Sequence, residues 1–137
     1  MRYDLNLLYE FCCEIGLAAQ RSSEETLQVS LGDGAVLCFQ NADVDEDCLL
    51  GFAGTPWHTH GDLLFSDCDG SYIQLDSREL LSQLKEGKVL LCERVVAGQV
   101  TDRWLIHSVF NDEFAALEPD ERLVVRRASD TLGRGVT

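Results

Sequence analysis

The sequence predicts an α+β fold, a mainly antiparallel sheet with an N-terminal helix and a central helix packed on it. Three observations carry this. Runs of alternating apolar residues, such as Leu27, Val29 and Leu31, recur along the chain and are joined by short turn-like connections, as antiparallel neighbours require. Two other segments place apolar residues at helical spacing behind an aspartate that can cap a helix. The chain has 137 residues, 45% of them hydrophobic and 26% charged, which suffices for a core of its own. Residues 1–127 read as a single domain and 128–137 as a frayed tail with Gly133 and Gly135.

Asp4 caps a helix expected over Leu5–Ala19, with Tyr3 and Leu8 as a hydrophobic staple and Gly16 as a weak point. Leu5, Leu8, Tyr9, Cys12, Ile15 and Ala19 form its apolar stripe. Leu7, Phe11 and Ala18 fall off that stripe, which points to a helix covered on more than one side. Thr26–Leu31 and Ala35–Gln40 flank Gly32-Asp33-Gly34, a hairpin signal. Cys48–Phe52 reads as another strand, and Pro56 argues against a central strand just before Trp57. Asp62–Ser66 and Ser71–Leu75 flank a turn at Asp67–Gly70. Asp76 with Glu79 forms a capping box, Leu80, Leu81 and Leu84 a buried face, and Gly87 a stop. Lys88–Val96 and Val100–Phe110 form a long hairpin about Ala97-Gly98, with His107 on the face opposite Trp104 and Ile106. Asn111–Leu117 reads as a helical turn and Glu121–Arg127 as a last strand.

Charge is the strongest functional signal. The net charge is −13, and between Ser22 and Ser77 there are eleven acids and no Lys or Arg. Direct nucleic-acid binding is disfavoured, because phosphate would be repelled. A basic protein partner is favoured by the same charge. No apolar run approaches 18 residues, so no membrane span is expected, and the N-terminus lacks an apolar signal core, so a cytoplasmic protein is expected. The six cysteines form no Cys-x-x-Cys pair and read mostly as small apolar fillers kept reduced.

The stretch Asn41–Asp69 concentrates the chemistry. It holds Asp43, Asp45, Glu46 and Asp47, then Trp57, His58, His60 and Asp62. Asn41, Asp43 and Asp45 begin like a calcium loop, but positions six and twelve hold Glu46 and Phe52 instead of the required Gly and Glu. Two histidines two apart on an extended segment point the same way, and Asp62 would share their face. A zinc site of His58, His60 and Asp62 is therefore one reading. No Gly-x-Ser-x-Gly elbow and no phosphate-binding glycine loop is present, so no catalytic residue is assigned. The other reading is a contact surface of Asp43, Asp45, Glu46, Asp47, Trp57, His58 and Asp62, with Trp57 as an aromatic anchor.

Three resemblances bear on function. His58, His60, Ser66 and Asp69 resemble the zinc site of JAB/MPN-type isopeptidases, with Gly61 in place of that family's proline, a shorter spacer, and Gly70 where the family starts a helix. Leu7–Phe52 contains an apolar helix ending in Glu14-Ile15-Gly16-Leu17, a hairpin, and a strand after an acidic connection. It resembles type III secretion effector chaperones, which implies a homodimer holding an extended effector segment. The whole chain resembles bacterial toxin-immunity proteins in type: a small acidic α+β domain without an evident catalytic set. That resemblance implies a non-enzymatic inhibitor whose acidic face blocks a basic toxin or secreted effector. No cofactor is expected on this reading, zinc entering only with the hydrolase alternative.

Overall fold

The strands with the clearest alternation set the architecture. In the computed structural model, which describes residues 2–42, 47–111 and 117–128, the first sheet has five antiparallel strands in sequence order. These are β1 (Ala18–Ser23), β2 (Thr26–Ser30), β3 (Val36–Asn41), β4 (Cys48–Phe52) and β5 (His58–Thr59). Register aligns Leu27 with Phe39 and Phe39 with Leu50, and Val29 with Leu37 and Leu37 with Phe52. Every one of these side chains is buried, so one face of the sheet is a continuous apolar surface. Each such side chain contributes roughly 1.5–3 kcal/mol through burial. The β2–β3 turn runs through three consecutive positive φ values, 89° at Gly32, 52° at Asp33 and 82° at Gly34, and closes with Leu31 N–H donating to Ala35 O at 2.9 Å.

Helix α1 (Leu5–Ile15) is capped as its sequence implies, Asp4 accepting from Leu7 N–H. It ends earlier than the expected Ala19. Gly16 turns left-handed at φ 82°, and Ala18–Ser23 pairs with β2 as β1 instead. Leu5, Leu8 and Cys12 are buried, whereas Tyr9, assigned to the same stripe, remains exposed. Helix α2 (Ser77–Glu86) carries both bonds of the Asp76–Glu79 capping box, buries Leu80, Leu81 and Leu84, and stops at Gly87.

The remaining strands form two further antiparallel sheets rather than extending the first. β6 (Leu63–Ser66) pairs with β7 (Tyr72–Leu75), and β8 (Val89–Val96) lies between β9 (Gln99–His107) and β10 (Glu121–Arg126). Ala97 and Gly98, at φ 50° and 81°, make the tight turn between β8 and β9. α1 lies against β1, β2 and α2, while α2 lies against β7 and β8. One hydrophobic cluster runs through all these layers from Tyr3 to Leu105.

Ala128, expected at the start of a frayed tail, packs against that cluster, and 129–137 lie outside the described residues. Most of the expected Asn111–Leu117 turn, residues 112–116, also lies outside them. Cys12, Cys48 and Cys92 are buried, as the filler reading requires. Cys13 and Cys68 are exposed and do not fit it. Burial, with Cys13 adjacent, pushes the Cys12 thiol up to about 11. No helix among the described residues is long and apolar enough to cross a membrane.

Candidate functional site

The rim of the five-stranded sheet is built on a glycine. Gly51 pairs with His58, and a Cβ at Gly51 would lie 2.8 Å from the Trp57 carbonyl oxygen. The close approach of β5 to β4 therefore requires a residue without a side chain. β5 follows Pro56 and is only two residues long, which leaves a short edge. Trp57 is less exposed than the sequence suggested. It is half-buried against the core, its ring tilted on Phe52 with centroids 6.0 Å apart, and its backbone N–H donates to Asp102 Oδ1 at 3.2 Å. It anchors the segment to β9.

The two histidines lie side by side, ring centroids 5.5 Å apart. His58 Nδ1 lies 3.1 Å from Pro56 O, and His60 Nδ1 lies 2.8 Å from Asp47 Oδ2. Both oxygens are acceptors, so each Nδ1 carries the proton. Asp47 Oδ1 also accepts from Cys48 N–H at 2.8 Å. That backbone donor, and after it His60, holds the Asp47 carboxyl below its ordinary range. Asp47 thus stands ionised on an exposed rim.

Asp62 does not continue the histidine face. Gly61, at φ 75°, breaks the alternation, and Asp62 lines a groove beside α1. Among the described residues no group of three or more His, Cys, Asp or Glu side chains is placed to hold a metal, so His58, His60 and Asp62 are not brought together as a ligand set. Asp69, the last member of the isopeptidase-like string, accepts from the hydroxyl and then the N–H of Ser71, which lower its pKa and commit it to the β6–β7 turn. Asp43, Asp45 and Glu46 lie outside the described residues; Ala42 N–H donates to Asp47 O at 2.8 Å across the base of their connection.

Tyr3 fastens the N-terminus to this rim. Its N–H donates to Asn41 Oδ1 at 2.7 Å, Asn41 Nδ2 donates back to Tyr3 O at 3.0 Å, and its hydroxyl reaches Gly61 O at 3.3 Å. Burial pushes the Tyr3 phenol well above its ordinary value.

Two features escaped the sequence reading. Glu93 is buried on β8 and receives Arg103 Nε at 2.8 Å and Arg126 Nε at 3.2 Å. Arg126 also donates to Leu31 O at 3.0 Å and Gly32 O at 2.7 Å, tying β10 to the β2–β3 turn. The signal was present: Glu93 sits between Leu91 and Val95 in the inward register, where an acid demands a partner. The second feature is a groove of about 410 Å³ between α1 and the start of α2.

No protein-family model, no curated protein and no solved structure matches this chain.

Proposed function

We propose that this protein is a non-enzymatic, acidic protein-binding module, an immunity-type inhibitor that blocks a basic toxin or effector. The observation that carries this reading is the placement of Asp47, an exposed carboxylate fixed at the sheet rim by N–H donors from Cys48 and His60, within a stretch free of Lys and Arg. The charge balance elsewhere supports it. Lys88, Arg94, Arg103 and Arg126 each pair with a glutamate outside that stretch and so do not offset its charge; Arg2 alone of the paired cations reaches it, through Glu25 and Ala42 O. An acidic rim of this kind speeds encounter with a basic partner and rejects acidic ones. The test is affinity capture from the native cell with wild-type protein and with a D43K/D45K/E46K/D47K variant as baits. A basic protein retained by the first and lost from the second supports the reading, whereas identical captures contradict it.

One observation favours a second reading, a zinc-dependent hydrolase on His58-x-His60. With both Nδ1 atoms donating to oxygens, Nε2 is the atom that carries the lone pair a metal requires in each neutral imidazole, the arrangement seen around zinc-bound imidazoles. Elemental analysis after zinc addition, on wild type and on H58A/H60A, decides it. Stoichiometric zinc lost in the variant supports this reading, and no retained zinc ends it.

A further inference from the structure

We infer that the groove between α1 and the start of α2 seats an apolar side chain presented by a lysine- or arginine-rich segment of the partner protein. This deepens the binding-module reading and rests on it. Helix α1 is apolar on two sides. Leu5, Leu8 and Cys12 face the core and are buried. Leu7 and Phe11, one turn apart, form a second stripe of which the fold leaves Leu7 open, 61% exposed. Phe11 is half-buried, and the Arg78 guanidinium sits 4.6 Å above its ring centroid.

Both the chemistry and the size of the groove select its occupant. Glu10 and Glu14 stand on α1 beside Leu7 and Phe11, and Asp62 and Asp76 come from the two ends of the β6–β7 hairpin. Among the described lining residues carboxylates outnumber guanidiniums five to two, and one of those guanidiniums, Arg2, is drawn to Glu25 outside the groove. An apolar floor with an acidic rim fits a hydrophobic side chain flanked by cations. A second copy of this chain would bring the same acids against themselves, and like charges across a self-complementary interface repel. The volume, about 410 Å³, is that of a site for one or two large side chains. Tyr3, which lines the groove, bonds Asn41 and reaches Gly61 O, so the groove adjoins the sheet rim.

The probe is a fluorescein-labelled peptide of about 14 residues with leucines and lysines at helical spacing, long enough to form a helix when bound. Its control replaces every leucine by alanine and keeps the charge. Anisotropy titration of the wild-type protein is expected to give binding of the leucine peptide at least roughly tenfold tighter than the control, the scale of one buried leucine. Leu7→Lys, an exposed position whose fold is checked by circular dichroism, is expected to remove that preference. Glu118→Lys with Asp120→Lys, exposed and away from the groove, is expected to keep it. Equal binding of the two peptides, or a preference untouched by Leu7→Lys, overturns the inference. So does a sedimentation result in which Leu7→Lys dissolves a homodimer, since the groove would then be a self-interface. Failure here is separable from failure of the parent reading. A basic protein captured equally by wild type and by Leu7→Lys removes the groove and leaves the module. A Leu7-dependent peptide with no basic protein captured leaves the groove and removes the inhibitor.

Discussion

His60 Nδ1 donates to Asp47 Oδ2 across 2.8 Å and so joins the end of the edge strand to the connection that carries the acids. The bond is one of two that lower the Asp47 pKa, and the Cys48 N–H is the larger influence. His60→Ala is therefore expected to raise the Asp47 pKa part of the way toward its ordinary value and no further. A carbon-detected NMR titration of the Asp47 carboxyl reads this. A lowered folded-state pKa means that the stabilising contribution holds above the unfolded value, about 3.9, and is lost as pH falls through the folded one. No movement of the Asp47 titration in the variant would show that the pair does not form in solution.

The Arg103–Glu93–Arg126 group predicts a large effect from a small change. Removing Glu93 leaves two guanidiniums facing each other in a nearly closed site, with side-chain exposures of 13% and 18%. Glu93→Ala is expected to cost about 3–5 kcal/mol in urea unfolding, the usual penalty for breaking a buried ion pair from one side. Leu123, which points away from the core in β10 and is half-buried, is a suitable control: Leu123→Ala is expected to cost less.

His107 is a neutral imidazole by geometry. Its Nε2 donates to Gln83 Oε1 at 2.9 Å, and its Nδ1 accepts from Val109 N–H at 3.1 Å and Phe110 N–H at 3.3 Å. Protonating Nδ1 would turn an acceptor into a donor facing two donors. Burial, and then the charge of Lys88, push its pKa below the ordinary value. The folded state therefore binds fewer protons, so stability is complete above about pH 6.5 and declines as pH falls below it. Thermal melts between about pH 7.5 and about pH 5.5 should show a loss in wild type that His107→Gln largely lacks. Equal losses would contradict the neutral, acceptor role.

Gly51 has a steric role. Gly51→Val places a branched side chain where the Trp57 carbonyl stands, 2.8 Å from the Cβ position. The expected outcome is a loss of about 1–3 kcal/mol and a displaced Trp57 indole resonance, with Trp104 little changed. A variant as stable as wild type with both indole signals in place would contradict the pairing of β4 with β5.

Much of the fold was legible because local signals agreed with tertiary ones. Asp76 and Glu79 announced α2, and Gly32-Asp33-Gly34 announced the β2–β3 hairpin, since capping and positive φ are decided by a few neighbouring residues. β1 was not legible. Ala18 and Ala19 continue a helical spacing, and their pairing with Ser30 and Val29 follows from the neighbouring strand rather than from their own preference. The division into three sheets was likewise hidden, because alternation marks strands without saying which pair. At the site, the adjacency of His58 and His60 followed from strand geometry. Asp62 misled because Gly61 breaks that geometry, and the Asp47–His60 bond joins residues 13 positions apart, just outside β4 and β5.

The central claim, that an acidic face binds a basic protein, is tested most directly by the affinity for the captured partner measured against salt. Titrations from about 50 to about 300 mM sodium chloride compare the wild-type protein with the D43K/D45K/E46K/D47K variant. An acidic contact surface predicts that binding weakens by roughly tenfold or more over this range, and that the variant binds more weakly still with little remaining salt dependence. A partner held with the same affinity at every salt concentration, by wild type and variant alike, would contradict it.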